Sequence, residues 1–202
     1  MIDKSIILEG DRVRLVPLAL PHTNALRETC ADPGLWEYTF SENPFLSEED
    51  ARRWAADAID APDTVAFAVI EKASGQLIGS TRFFDIVPAY RKLEIGWTFL
   101  AREFWRTYVN TEMKYVMLRY AFECCNAIRV QFKAEARNKR SRTAIARLGA
   151  TYEGTHRNFR IHADGSRRDV SFYSVVDSEW PIVKERLLSF MYAEAPQATK
   201  AP

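Results

Sequence analysis

Histidine and cysteine, the side chains from which many protein metal sites are built, are scarce in this 202-residue chain. Three of each occur, and neither set has the spacing of metal ligands. The cysteines are odd in number and two of them are adjacent; they are Cys30, Cys124 and Cys125. This pattern is typical of reduced thiols rather than of a disulfide framework. The sequence therefore predicts a cytoplasmic protein without a metal site.

Long hydrophobic runs and a strong net charge are also absent. No segment approaches the roughly 18–20 apolar residues that a membrane helix needs, and no apolar stretch of a signal peptide follows the first basic residues. The net charge is +1, which argues against a general nucleic-acid or membrane-surface binder. The charge is nevertheless uneven, at −6 over residues 1–62 and +7 over 126–170. We expect these two parts to suit cations and anions, respectively.

Hydrophobic periodicity and turn residues predict one domain over residues 1–193 and a disordered tail over 194–202. We expect strands at 12–16, 65–71, 77–87, 92–100, 127–134, 151–161 and 167–176. We expect helices at 22–31, from Ser47 onwards, and at 111–125, 138–148 and 180–193. This order predicts an α/β or α+β fold, in which helices cover a mixed sheet. The strand at 92–100 and the one at 127–134 are joined through a helix, so they should run parallel.

The strand at 92–100 carries a carboxylate among apolar residues. Alternation places Glu94 on one face with Gly96 and Thr98. The opposite face is apolar and consists of Leu93, Ile95, Trp97 and Phe99. Burial raises the pKa of a carboxylic acid, and a small neighbour leaves room for a ligand, so Glu94 is a candidate general base. The alternative is a structural carboxylate paired with an arginine.

Two further segments could hold an anion or move a proton. Residues 105–111 lead into a buried helix, whose free N–H groups and Arg106 would together form an anion site; the alternative is an ordinary connecting loop. Ser141 lies on the inward face of its helix with Ile145 and Leu148. Its hydroxyl could donate a proton, or it could bond to a carbonyl one turn back. The basic residues around it suit phosphates, but they could also form a solvated face.

These three segments, in this order, resemble the GNAT acyltransferase family, and within it the RimJ/RimL-like branch. The resemblance runs from Leu8 to Pro181. It is carried by Leu8-Glu9-Gly10-Asp11-Arg12-Val13-Arg14-Leu15, Glu94-Ile95-Gly96-Trp97, Val109-Asn110-Thr111-Glu112-Met113-Lys114, Asn138-Lys139-Arg140-Ser141 and Leu148-Gly149-Ala150. It implies a single GNAT-fold domain, with a mixed and mostly antiparallel sheet, helices on both faces and a splayed central parallel pair. It also implies transfer of an acetyl group from acetyl-CoA to a primary amine, on a protein N-terminus or a small molecule.

The resemblance assigns roles to individual residues. Glu94 would deprotonate the amine and Ser141 would protonate the CoA thiolate. Asn138 would lie beside the pantetheine arm, and the backbone of Trp97, Thr98 and Phe99 would contact that arm and the thioester. The pyrophosphate would lie against Arg106, Thr107, Tyr108, Val109, Asn110 and Thr111.

Two expectations about partners complete the interpretation. The acceptor would lie against Trp36, Tyr38 and Phe40, where acidic residues are also found; the alternative is that these rings are ordinary core. We expect a monomer or homodimer that binds neither nucleic acid nor membrane. The pyrophosphate loop departs from the family pattern Gln/Arg-x-x-Gly-x-Gly/Ala, since Trp105, Tyr108 and Asn110 stand at its fixed positions. The alternative function is therefore a degenerate domain that binds acyl-CoA, or nothing, and acts as an interaction module.

Overall fold

A computed structural model describes residues 2–39, 42–162 and 165–193. Within these ranges the strands are β1 (Leu8–Glu9), β2 (Val13–Pro17), β3 (Val65–Glu71), β4 (Leu77–Val87), β5 (Lys92–Leu100), β6 (Arg129–Glu135), β7 (Thr151–Ile161) and β8 (Arg167–Val176). The α-helices are α1 (His22–Cys30), α2 (Glu48–Asp60), α3 (Tyr108–Arg119), α4 (Lys139–Leu148) and α5 (Trp180–Ala193). Phe40 and the tail predicted at 194–202 lie outside the described residues.

The eight strands form one sheet in the order β1-β2-β3-β4-β5-β6-β8-β7. All neighbours are antiparallel except β5 and β6, which are joined through α3 and run parallel. Their pairing covers three residue pairs and ends at Glu94 and Gln131. Beyond that point β5 continues along β4 and β6 continues along β8, so the two central strands diverge. The mixed sheet and its splayed parallel pair confirm the expected fold class.

Each face of the sheet has its own hydrophobic core. Alternation along β3 explains the division, because Val65, Phe67 and Val69 face one core while Ala66 and Ala68 face the other. The larger core includes side chains of α3, α4 and α5, and the smaller one includes side chains of α1 and α2. The smaller core is rich in aromatic rings; its large members are Leu26, Trp36, Phe45, Trp54 and Phe99.

A buried carboxylate fixes α3 against the first two strands. Glu112 is fully buried, and its Oε1 accepts hydrogen bonds from the backbone N–H groups of Arg12 (2.7 Å) and Val13 (3.2 Å). Its Oε2 accepts one from Arg12 Nε at 3.0 Å. A Cβ on Gly10 would lie 2.4 Å from Glu112 Oε1, so any larger residue there would displace this carboxylate from its hydrogen bonds. Two of the sequence segments that carry the family resemblance therefore meet in space.

The alternation expected along β5 is wrong after Gly96, because the strand contains a bulge. Trp97 has a φ of +50°, and the pairing of β4 with β5 shifts register nearby. An extra residue reverses which face the following side chains take. Thr98 consequently faces α3, whereas Trp97 and Phe99 lie on the face of α1 and α2, together with Glu94.

Helix boundaries agree with the sequence where a capping residue is present. Ser47 and Asn138 cap α2 and α4 through their side chains, and Gly149 closes α4 with a φ of +102°. Helix α3 begins at Tyr108 rather than at the expected Thr111, and it ends in a π-helical turn over 120–124. The short strand β1 was not expected from the sequence.

Candidate active site

Glu94 lies at the point where the central strands separate. Its residue is only 2% exposed, and its Oε2 is 2.6 Å from the Lys133 ammonium and accepts a 2.8 Å hydrogen bond from the Gln131 amide. Burial raises the pKa of Glu94 above its ordinary value, although the bonds from Lys133 and Gln131 act in the opposite direction. A carboxylate with a raised pKa beside the opening between two strands is suited to accept a proton.

The space beside Glu94 is narrower than the sequence indicated. We expected Gly96 to leave room for a ligand, but a Cβ there would lie 2.8 Å from Cε1 of Phe84. The Phe84 ring therefore fills the position that Gly96 leaves free. Phe84 pairs with Glu94 across β4 and β5, so its half-buried ring forms one wall of the site.

Helix α4 contributes Asn138 and Ser141. Asn138 is the N-cap, and its Oδ1 accepts a 2.9 Å hydrogen bond from the backbone N–H of Ser141. The half-buried Ser141 hydroxyl makes no hydrogen bond to the described residues, so the bond to a carbonyl one turn back is not present. Its proton is available to a ligand.

The N-terminus of α3 provides backbone donors. Thr107 is the N-cap, and its Oγ1 accepts a 3.4 Å hydrogen bond from the Val109 N–H, whereas the N–H groups of Tyr108 and Asn110 have no partner within the helix. Arg106, immediately before the cap, is exposed and has a φ of +60°. This left-handed conformation turns the chain into the helix at a position where a side chain is strained.

Tyr108 points onto the protein. Its hydroxyl donates a 2.9 Å hydrogen bond to Glu71 Oε1, and the Arg12 guanidinium lies 3.8 Å from the centre of its ring. Both partners belong to the strand side of α3. The ring that replaces a family glycine therefore has its own place and does not fill the helix N-terminus.

Two of the residues expected at the pyrophosphate are buried. Val109 and Thr111 are fully buried side chains, and the Thr111 hydroxyl accepts a 2.7 Å hydrogen bond from Arg147 of α4. The Thr111 N–H is the first one in α3 that can bond to a carbonyl four residues earlier, at the N-cap. These residues hold α3 in position. The Val109 N–H donates to the Thr107 cap, so the N–H groups of Tyr108 and Asn110 are the donors that this helix end offers to an anion.

Positive charge surrounds the entrance to α3. The Arg140 guanidinium stacks on the Trp105 ring at 3.7 Å from its centre, and Arg102 lies 5.6 Å from the same ring. Trp105 itself donates a 2.9 Å hydrogen bond to the carbonyl of Leu100. Trp105 thereby links the end of β5, the start of α3 and the start of α4. Arg102, Arg106 and Arg140 supply the positive charge in this region.

Of the three aromatic residues expected at the acceptor, the structure describes Trp36 and Tyr38. Trp36 belongs to the smaller core, where its ring is 5.0 Å from that of Phe99 and its Nε1 donates to the carbonyl of Cys30. The core alternative is therefore correct for Trp36. Tyr38 is half-buried, and Phe40 lies outside the described residues.

Comparison with known proteins identifies the family. The family model described as an acetyltransferase (GNAT) domain matches residues 12–151. The chain belongs to this family. It is therefore an N-acetyltransferase whose donor is acetyl-CoA, as the resemblance implied.

Individual relatives agree with this assignment. A GCN5-related N-acetyltransferase from Brucella melitensis has a TM-score of 0.87 and 30% identity, covering 95% of this chain and 86% of that one. The Bacillus subtilis protein named "Putative ribosomal N-acetyltransferase YdaF" is 29% identical over 73% of this chain and 79% of its own. These likenesses confirm the RimJ-like assignment within the GNAT family.

A more distant structure shows the same fold. The microcin C7 self-immunity acetyltransferase MccE, solved with acetyl-CoA and AMP, has a TM-score of 0.74 at 19% identity, covering 83% of this chain and 93% of that one. Within the described ranges we find no cluster of three or more histidine, cysteine or acidic residues that could hold a metal ion. No helix of those ranges is long and apolar enough to cross a membrane.

The sequence did not indicate Lys133 and Gln131 as part of the site. They alternate with apolar residues along β6, as on any solvated strand face. Only the parallel pairing of β5 with β6 brings them to Glu94. Arg82 and Trp54, which lie on the same side of the sheet, also gave no local signal.

Proposed function

We propose that this N-acetyltransferase acetylates a primary amine by direct attack, with Glu94 as the base and Ser141 as the acid. The observation that carries the proposal is the burial of Glu94 where β5 and β6 diverge. A carboxylate in that position lies beside the opening in the sheet, and its burial favours the protonated form that results from catalysis.

The residues present fit acetyl-CoA. Beyond Glu94, the β5 backbone groups that point towards β6 have no strand partner, so they are free to bond the amides of a pantetheine arm. The N–H groups at the start of α3 and the exposed Arg106 suit a pyrophosphate. The position of Tyr108 on Glu71 and Arg12 leaves that helix end accessible, which favours catalysis over the degenerate alternative.

The proton steps follow from the two side chains. When bound, acetyl-CoA supplies a thioester carbon that an amine can attack. Glu94 takes a proton from the ammonium of the acceptor, directly or through a water, and so frees the nitrogen lone pair. As the nitrogen–carbon bond forms and the carbon–sulfur bond breaks, the Ser141 hydroxyl donates its proton to the sulfur. The second proton that the nitrogen loses as it becomes an amide returns to the Ser141 oxygen through water, and Glu94 releases its own proton to solvent. Backbone N–H groups near Trp97–Phe99 stabilise the negative charge that develops on the carbonyl oxygen.

The acceptor is an amine on a protein N-terminus or a small molecule. The relative from Bacillus subtilis is named for a ribosomal acceptor, which favours a protein substrate. The Phe84 ring, which pairs with Glu94 across the sheet, is an apolar wall that suits either kind of acceptor.

Substitution of the base tests this mechanism. We expect Glu94→Gln to keep the fold and the affinity for acetyl-CoA, and to lower turnover roughly 10²–10⁴-fold near neutral pH, measured as thiol release with a panel of amines. The matched control is Glu28→Gln, which changes an exposed carboxylate of α1. Unchanged turnover in Glu94→Gln would show that solvent takes the proton and that Glu94 is structural.

A further inference from the structure

Arg82 is a buried cation that makes no hydrogen bond or ion pair with the described residues. It lies on β4, is 7% exposed, and its Nε and Nη2 atoms are buried without a hydrogen bond to any described residue. Burial lowers the pKa of Arg82 to about 10, while the negative charge of the exposed Asp57 acts to raise it. The side chain therefore remains protonated at neutral pH. A buried charge without a partner is unfavourable in an isolated protein.

Two indole rings hold the guanidinium. Its central carbon is 4.8 Å from the centre of the Trp54 ring and 4.6 Å from that of the Trp97 ring. Stacking of this kind uses the flat faces of a guanidinium and leaves the N–H donors at its edge unused. Trp54 Nε1 is a further buried donor without a partner among the described residues. Arg82 and its neighbour Trp54 thus contribute three buried donor atoms that have no acceptor among the described residues.

The register of the sheet places this cation next to the proposed base. Arg82 pairs with Gly96, and the next pair on the same face is Phe84 with Glu94. Arg82 and Glu94 are therefore diagonal neighbours, about 7–8 Å apart at the backbone. Trp97, which covers the guanidinium, is 39% exposed, so a single ring separates Arg82 from solvent on this side. A ligand that contacts both side chains must displace the rings of Phe84 and Trp97, which cover them.

We infer that Arg82 binds a carboxylate of the acceptor, whose amine is then held at Glu94. The fork of an arginine matches the two oxygens of a carboxylate, which could receive two parallel hydrogen bonds. The acceptor class is thus an amine that carries a carboxylate within a few bonds of its nitrogen. This inference rests on the proposed function, because that function places the amine at Glu94. The carboxylate could belong to a free amino acid or to an aspartate or glutamate at the N-terminus of a peptide.

Matched acceptors separate these sources. Thiol release is measured with free L-amino acids against their carboxamides, and with peptides that begin with Asp or Glu against peptides that begin with Asn or Gln. Within at least one of the two sets, we expect the acceptor with the carboxylate to have a kcat/KM at least about tenfold higher than its amide counterpart, mainly because its KM is lower. Preference within the first set indicates a free amino acid and preference within the second a peptide. Equal use of both members in both sets overturns the inference.

Variants at position 82 test whether this residue is responsible. Arg82→Gln should remove the preference, and Arg82→Lys should restore part of it, because a lysine keeps the charge without the fork. Neither variant should change the dissociation constant of acetyl-CoA. The control is Arg53→Gln, an exposed arginine of α2 that pairs with Glu49 and Asp50. A preference that survives in Arg82→Gln contradicts the inference.

A binding measurement keeps the test independent of catalysis. The same amino acids, peptides and amide controls are titrated into the protein while tryptophan fluorescence is followed, since the ligand would bind between Trp54 and Trp97. We expect a saturable change with the carboxylate ligands that is lost in Arg82→Gln and reduced in Trp97→Phe. Carboxylate binding without turnover would count against the proposed function alone. Turnover without any preference for a carboxylate, or no saturable response to carboxylates, would overturn the Arg82 inference.

Discussion

The carboxylate of Glu94 and the ammonium of Lys133 form an ion pair of 2.6 Å across the divergence of β5 and β6. Lys133 also approaches Asp85 at 3.4 Å, so it is shared between a buried and an exposed carboxylate. The proposed base is therefore subject to two opposed influences. Burial favours its neutral form, and the lysine favours its charged form.

Removal of the lysine should move the pH dependence of the reaction. In Lys133→Met the favourable charge is lost while the burial remains, so the pKa of Glu94 rises further. Glu94 must be deprotonated to act as a base, and we therefore expect the acidic limb of kcat/KM to shift to higher pH. Lys133→Arg, which retains the charge, should shift much less. An identical acidic limb in wild type and Lys133→Met would show that Glu94 does not control this ionisation.

The parts of the molecule that sequence could predict are those set by neighbouring residues. The helix at 138–148 and the strands at 65–71 and 77–87 depend on residues a few positions apart, and they were predicted correctly. The bulge at Trp97 was not, because it depends on the register with β4. A run of alternating residues contains no information about an extra residue opposite a partner strand.

The surroundings of the site could be predicted only in part, for the same reason. Glu94 stands out because it is a carboxylate in an apolar strand. Lys133 is one of many basic residues, and Arg82 is an isolated charge in a hydrophobic segment. Their roles depend on which strands are neighbours and on which face each side chain lies. That information comes from the whole sheet.

Loss of the Ser141 hydroxyl should affect turnover and spare binding. We expect Ser141→Ala to lower kcat roughly 10²-fold or more, with little change in the dissociation constant of acetyl-CoA, because the hydroxyl is needed only as the thiolate forms. Calorimetry and steady-state thiol release give the two quantities, and Ser178→Ala, at an exposed serine, is the control. Weaker binding with unchanged kcat would instead assign Ser141 a hydrogen bond in the ground state.

The entrance to α3 should bind acetyl-CoA through charge and backbone. Arg106→Ala should weaken binding, and the difference from wild type should shrink at high salt, because the interaction is between exposed charges. Arg52→Ala, on the exposed surface of α2, is the control.

Replacement of the aromatic ring in the same region should have little effect on binding. Tyr108→Phe loses only the hydrogen bond to Glu71, and Tyr108→Gly also loses the stacking with Arg12, so both should lower the melting temperature while retaining affinity. Calorimetric titration with acetyl-CoA measures this directly. Binding that is absent in wild type and present only in Tyr108→Gly would favour the degenerate alternative over the enzyme.

The buried amine of Lys114 should make stability depend on pH. Lys114 lies in α3, and its Nζ donates to the hydroxyls of Thr98 (2.7 Å) and Thr81 (3.3 Å) without an ion pair to any described residue. Burial lowers the pKa of Lys114 to about 7. Between that pH and the pKa of an unfolded lysine, about 10.4, the unfolded chain binds more protons than the folded one. The free energy of unfolding should therefore rise with pH over this range. Below pH 7 the amine is charged in the folded protein, so the full free-energy cost of burying that charge applies there.

Comparison of wild type with Lys114→Met isolates this contribution. The variant removes the charge and keeps an apolar chain of similar length, while Thr81 and Thr98 retain their mutual hydrogen bond of 2.8 Å. We expect the variant to melt at a higher temperature than wild type at pH 6, and the difference to narrow at pH 9 because the wild-type amine is then neutral in the fold. Lys92→Met, at an exposed lysine, should show no such convergence. If Lys114→Met were less stable by the same margin at both pH values, the amine would stabilise the bulge through its hydrogen bonds alone, and its charge would carry no cost.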